Sequence, residues 1–301
     1  MKRNRLIVLL GPTGVGKTEL SLQLAETFNS SIISSDSRQF FKELKIGTAA
    51  PTREQLDRVK HYFIGVKSIT DYYSAGQYEV DVLQLLNELF AENSTQFLVG
   101  GSMLYIDAVC NGLDELPPVS TEIRNKVLAI WNESGINGIG QKLQELDPAC
   151  YKTIDINNKQ RVIHAIEVSL STGKPYSELL KHEKKERPFD IIKIGLNLPR
   201  EELYQRINQR VDIMIENGLI QEVESLYPYK HLNALNTVGY KELFQYMDGK
   251  YSLDFAINMI KQNSRRYAKR QLTWFNADKE IQWFNPKQPV EISATLEKRT
   301  L

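Results

Sequence analysis

The first apolar run of the chain, RLIVLL at residues 5–10, is continuous rather than alternating, the pattern of a short parallel strand buried on both faces. Leu20, Leu22, Leu24, Ala25 and Phe28 then recur at roughly helical spacing over residues 17–28. Between strand and helix lies a glycine-rich turn, GPTGVGKT. A second strand, SIISSD, is predicted to end at Asp36, and a third, QFLVGG, to end at Gly101 after the amphipathic stretch VDVLQLLNELF. Strands that alternate with helices predict an α/β fold: a parallel sheet core flanked by helices, of the kind built around a phosphate loop.

From about Leu116 the pattern changes. PPVSTEIRNKVLAIWNESGINGIGQKLQELDPACYKTI and NNKQRVIHAIEVSLSTGKPYSELLKH carry helical periodicity broken by Pro and Gly, and no strand pattern. This predicts a small all-helical insert over 114–189, leaving 1–113 and 190–301 as the core. At DIIKIGLNLP, residues 190–199, a strand pattern returns, followed by helices over 200–227 and 252–276.

Composition narrows the picture. A hydrophobic content of 42% in 301 residues is enough for a substantial core, and no apolar run approaches the ~20 residues that span a bilayer. The two cysteines, Cys110 and Cys150, form no CxxC pair, against a disulfide framework or structural zinc. With a phosphate loop beginning at residue 11, no leader is expected, and the reading is a cytoplasmic, monomeric protein without a membrane partner. Net charge is only +1, so a polyanion must be met by a local patch. KQNSRRYAKR, residues 261–270, offers one: Lys261, Arg265, Arg266, Lys269 and Arg270, with no acid. Four of these share one helical stripe with Tyr267 among them, suited to an RNA backbone or simply to a solvated face.

The candidate chemistry begins at Gly11, Pro12, Thr13, Gly14, Val15, Gly16, Lys17 and Thr18, which satisfy GxxxxGK[ST] between a strand and a helix. The glycines let backbone amides turn inward, the helix N-terminus adds partial positive charge, Lys17 reaches terminal phosphates and the Thr18 hydroxyl can ligate Mg²⁺. The loop implies a diphosphate or triphosphate without naming a nucleotide. The strand expected to end in a Mg²⁺-binding Asp instead ends in Gly100, Gly101 and Ser102, and no guanine-reading NKxD follows.

Asp36 stands at the ligand-binding edge of the sheet, as a base, a Mg²⁺ partner or a turn cap. Arg38 and Gln39 beside it are donor-rich, and Ser102 ends a neighbouring strand. Arg206 and Arg210, four apart on one helix face, are placed to reach the same anion or to lie in solvent.

In combination, GPTGVGKT, SSDSRQFFKELKIGTAAP, VGGSMLY, NNKQRVIHAIEV, TVGYKE and RRYAKRQLTWF, in that order, resemble the tRNA dimethylallyltransferase family over residues 5–276. The resemblance implies transfer of the five-carbon prenyl group of dimethylallyl diphosphate to N6 of adenosine 37 in tRNA. The loop would then hold a leaving diphosphate with Mg²⁺. It also implies that Asp36 is the general base and that Ser102 fills the hydroxyl position of the family's GGTxLY motif. Contacts to tRNA are implied for Asp36, Ser37, Arg38, Gln39 and Ser102, for Arg124, and for Gln160, Arg161, Val162, Ile163 and His164, with the insert clasping the anticodon stem-loop.

Two positions depart from the family pattern. Ser102 stands where Thr is usual, and His164 where Arg is commoner, a titratable donor in place of a fixed cationic fork. The rival readings are a P-loop small-molecule kinase and a nucleic-acid-dependent ATPase.

Overall fold

The computed structural model describes residues 3–181 and 183–300, with side chains described through Lys298. Two compact units divide the chain: Met1–Asn111 with Glu186–Leu301, and Gly112–Lys185.

The first unit opens with β1 (Arg5–Leu10), α1 (Lys17–Thr27), β2 (Ile32–Ser34), α2 (Arg53–Arg58), β3 (His61–Tyr62), α3 (Ala75–Glu92), β4 (Thr95–Gly100) and α4 (Met103–Asn111). The second unit holds α5 (Thr121–Leu146), α6 (Pro148–Thr153), α7 (Lys159–Thr172) and α8 (Tyr176–Leu179), with no strand among its described residues. The chain then returns to the first unit with β5 (Asp190–Leu196), α9 (Arg200–Glu216), α10 (Leu219–Leu226), α11 (Tyr240–Met247), α12 (Leu253–Phe275), β6 (Gln282–Phe284) and α13 (Pro289–Thr300).

The six strands are parallel, in the order β3-β2-β4-β1-β5-β6. β1 lies between β4 and β5, which explains its unbroken apolar sequence. Ile7 and Leu9 pack with Phe97, Val99, Ile194 and Leu196 on one face, and Leu6, Val8 and Leu10 with Ile33 and Leu98 on the other. Burying each such side chain contributes about 1.5–3 kcal/mol. Lys193 interrupts the apolar run of β5 and is held in the core by Asp278 and Glu280, each at 2.7 Å.

Helix starts follow local signals. Ser74 and Gln77 form a capping box at α3, and Asn158 caps α7, which Gly173 ends in the left-handed conformation. The single helix expected over 200–227 is two, because Gly218 at φ 96° breaks it between α9 and α10. β3 and β6 had no expected counterpart. The second unit has its own core, in which Val127, Ile139, Leu143, Val162 and Ile166 are fully buried.

Candidate active site

β1 delivers the phosphate loop to the edge of the sheet where β2 and β4 also end. Gly14 and Gly16 take φ of 80° and 105°, conformations that other residues rarely adopt, and a Cβ on Gly16 would lie 3.0 Å from the Arg206 guanidinium. The Thr13 amide donates to Gln271 Oε1 at 2.9 Å, and Gln271 Nε2 donates to the Gly101 carbonyl at 2.8 Å. One buried amide of α12 therefore ties the phosphate loop to the end of β4. Gly101 must lack a side chain for this, since a Cβ there would meet Gln271 Nε2 at 2.4 Å.

Two cavities open beside the loop. One, of about 340 Å³, is lined by Gly16, Lys17, Thr18, Gly100 and Arg206. The other, of about 370 Å³, is lined by Ser37, Arg38, Thr48, Val211, Met214 and Val238. Thr13, Asp36, Arg210 and Tyr267 line both. Among the described residues Asp36 is the one carboxylate on either wall, at the junction of the cationic chamber around Lys17 and Arg206 and a second chamber that also carries cations, Arg38, Lys241 and Arg270.

Two of the cations, Lys17 and Arg210, sit against each other beside Asp36. Lys17 Nζ donates to the Gly11 and Pro12 carbonyls at 2.8 and 3.0 Å. Burial and then the Arg210 charge bring its ammonium down to about 7, against the opposing pull of Asp36. Burial also lowers Arg210, again opposed by Asp36. A site that holds two cations this close at the expense of their charged forms is built for an anion.

Lys17 consequently couples anion binding to a proton. A bound diphosphate favours the ammonium, so binding near pH 7 takes up about half a proton at Lys17, and this contribution to affinity falls as pH rises above 7. Calorimetry with inorganic diphosphate, without divalent ions and in buffers of different ionisation enthalpy, should show this uptake. Lys17→Arg, which keeps the charge without titrating, should lack it; equal uptake by both proteins would place the proton elsewhere.

Asp36 Oδ1 accepts from the Arg38 amide at 2.9 Å, a local turn that fixes the carboxylate beyond the end of β2. Arg38 Nη1 donates to the Asn233 and Ala234 carbonyls, both at 3.2 Å, and no described residue accepts from its Nε or Nη2. Gln39 lines the cationic chamber, but its amide is spent on the framework. Nε2 donates to the Thr48 and Ala49 carbonyls, and Oε1 accepts from Ser34 Oγ. In this structure its donors and acceptor therefore face the protein framework.

Ser102 is likewise engaged by the framework. It is buried and lines neither chamber; its Oγ accepts from the Ser37 amide at 2.8 Å and bonds Ser37 Oγ at 3.2 Å. The hydroxyl positions the Asp36–Gln39 loop, and it also meets the Tyr267 phenol, which burial and Asp36 push up to about 12.

Opposite Asp36 the Gly47–Ala49 wall hangs from a single carboxylate. Glu222 accepts from the amides of Lys45, Ile46 and Gly47 at 2.8–3.0 Å and from the Tyr240 hydroxyl at 2.6 Å. The Tyr240 ring fills the space where a Cβ on Gly47 would stand. TVGYKE thus acts through the loop that presents the Thr48 carbonyl to Gln39 and Arg210.

In the second unit, Gln160, Arg161 and His164 lie on the exposed face of α7, whereas Val162 and Ile163 are buried in the core and offer no side chain to a ligand. Arg124 pairs with buried Glu167 at 3.3 Å, so its charge is already committed within the unit.

The basic stripe of α12 is narrower than its spacing predicts. Arg265 turns inward to Asn208 at 2.5 Å and over the Tyr204 ring, and Lys261 pairs with Asp212. Arg266, Lys269 and Arg270 remain exposed, and Arg270 also lines the second chamber.

Gln271, Glu222 and Tyr240 escaped the sequence reading. Gln271 does sit in the RRYAKRQLTWF run, three residues after buried Ala268 and four before buried Phe275, so helical periodicity placed it inside.

Comparison with known proteins agrees with this geometry. The IPP transferase family matches residues 39–278. The chain is 57% identical over 287 residues to tRNA dimethylallyltransferase 1 of Phocaeicola vulgatus, covering 95% of this chain and 96% of that one. It is 55% identical over 296 residues to its namesake in Bacteroides thetaiotaomicron, covering 98% and 96%. Among solved structures, the tRNA isopentenylpyrophosphate transferase of Bacillus halodurans superposes with a TM-score of 0.72 at 36% identity, covering 99% of this chain and 97% of that one. A eukaryotic dimethylallyltransferase acting on tRNA superposes at 0.76 and 27% identity, covering 94% and 74%. These matches set the kinase reading aside, and the chain belongs to the IPP transferase family.

Proposed function

We propose that the protein transfers the dimethylallyl group of dimethylallyl diphosphate to N6 of adenosine 37 in tRNA and releases diphosphate. The observation that carries the reading is the position of Asp36, the one carboxylate shared by two adjoining chambers, one of them floored by the glycine-rich loop and Lys17. The diphosphate lies in the first chamber against the loop amides, Lys17, Arg206 and Arg210. The adenine enters the second, beside Ser37 and Arg38, after leaving the anticodon stack.

The N6 lone pair forms a bond to C1 of the prenyl group as the C1–O bond breaks and its electron pair leaves with the diphosphate. The N6 proton passes to the Asp36 carboxylate, which offsets the weak nucleophilicity of an amine conjugated with its ring. Charge that builds on the departing oxygens is met by Lys17, Arg210 and the loop amides.

Mg²⁺ fits the oxygen donors present: the Thr18 hydroxyl is exposed on the wall of the diphosphate chamber, and the diphosphate supplies further oxygens. When bound, the ion neutralises negative charge on the leaving group. A cytoplasmic monomer working on tRNA is part of the same reading, and among the described residues no helix is long and apolar enough to cross a membrane.

The test is transfer of label from dimethylallyl diphosphate to bulk tRNA with Mg²⁺ and without ATP. Label in A37-containing tRNA is expected; none would overturn the reading.

For the RNA surface, the exposed cations Arg266 and Lys269 on α12 supply the electrostatic contribution. Reversing both to Glu should weaken tRNA binding and reduce the slope of log K against log salt by roughly 1.5–2. Filter binding across a salt series measures this, and an unchanged slope would move the surface elsewhere.

A further inference from the structure

A third cavity, of about 310 Å³, lies on the far side of Ser37 and Arg38 from the second chamber. Its walls are unlike those of the other two. They carry the rings of Phe41, Tyr72, Tyr73 and Tyr105, the Asp71 carboxylate, and Arg38, which it shares with the second chamber.

Three of these residues are held in place by hydrogen bonds. The Tyr73 hydroxyl donates to Asp81 at 2.7 Å, and the Tyr105 hydroxyl to the Tyr73 carbonyl at 3.3 Å. Asp71 Oδ2 accepts from the Ser68 amide at 2.7 Å, while Oδ1 accepts from no described residue. Tyr72 is 65% exposed.

Arg38 is the odd member. It is half-buried, touches no carboxylate, and uses only Nη1, on two backbone carbonyls. A guanidinium so placed has donors and a planar face left over for a ligand.

Planar aromatic faces, a guanidinium and one spare carboxylate oxygen are the groups that receive an unstacked nucleobase: rings and guanidinium for its π-face, carboxylate for an amino edge. We infer that this cavity receives the base of a nucleotide adjoining the acceptor adenosine, with Tyr72 as its stacking partner and Arg38 as the partition between the two bases. The assignment rests on the proposed function, since it needs an RNA strand already threaded into the second chamber. It makes Arg38 bifunctional, a wall of both cavities.

The experiment uses the full chain and an anticodon stem-loop RNA in which each neighbour of adenosine 37 is made abasic in turn, with Kd read by fluorescence anisotropy. For the unaltered protein, one of the two abasic RNAs should bind ~5- to 150-fold more weakly than the intact RNA. With Tyr72→Ala, an exposed position that leaves the core untouched, that difference should shrink to about twofold or less, and Tyr72→Phe should restore it. If neither abasic RNA binds more weakly, or if the loss is the same in Tyr72→Ala, the assignment falls. Prenyl transfer to the intact stem-loop by the unaltered protein separates the two claims. Transfer without coupling overturns the cavity alone, whereas no transfer overturns the function on which it rests.

Discussion

Replacing Asp36 with asparagine is expected to lower kcat by about 10²–10⁴-fold while leaving the binding of tRNA and of diphosphate close to that of the unaltered protein. Asparagine keeps an oxygen to accept from the Arg38 amide, so the turn after β2 persists and only the proton acceptor is lost. Alanine at the same place would remove the turn contact too, and any fall in turnover would mix chemistry with geometry. The comparison with Lys17 and Arg210 sharpens the prediction. Asp36 raises the pKa of both cations, so its neutralisation leaves them harder to charge but also removes a negative charge from beside the anion, two opposed effects that keep the change in diphosphate capture small. A loss confined to kcat assigns the carboxylate to the transfer step. A collapse of diphosphate binding with kcat retained would instead make it part of the anion site. Single-turnover prenyl transfer with separately measured affinities distinguishes these outcomes.

What the sequence made legible follows from which forces act locally. β1, the phosphate loop and α1 could be read in order because a doubly buried strand must be apolar throughout and the loop conformation demands glycine at fixed places. β3 and β6 could not, since two or three half-buried residues at the sheet margin carry no periodicity. Charged side chains were the less legible part of the site. Arg265 and Arg124 look like free cations in their own segments, and only the fold brings Asn208 and Glu167 to them.

Motifs also blur the two faces of a helix. QRVIH reads as one contact segment, yet its central pair packs inward and its ends point out. The reverse error befell Glu222 and Tyr240, whose partners lie some 175 and 190 positions earlier, at Lys45–Gly47. A carboxylate that accepts three consecutive amides and a phenol has no signature in a single sequence, because the binding partner is backbone, whose sequence is nearly arbitrary.

Gln271 gives the second large effect. Its side chain is 2% exposed and makes two hydrogen bonds, one to each of the segments that must stay in register for the chambers to exist. Gln271→Leu, similar in volume, removes both and leaves the Thr13 amide and the Gly101 carbonyl without these partners, at about 1–3 kcal/mol each where they stay dry. A destabilisation of about 2–6 kcal/mol is expected, read as a lower Tm and denaturation midpoint. Instability alone would not show that the contact shapes the phosphate loop, so Gln271→Glu is the informative companion. A carboxylate still accepts from Thr13 but cannot donate to Gly101, and it brings negative charge to the wall of the cationic chamber around Lys17. That variant should raise the KM for dimethylallyl diphosphate much more than the KM for tRNA. Because Thr13 follows β1 and Gly101 follows β4, the same amide that stabilises the fold also sets the distance between the glycine-rich loop and the end of β4. Equal rises in both KM values, or an unchanged Tm in the leucine variant, would reduce Gln271 to an ordinary buried polar residue.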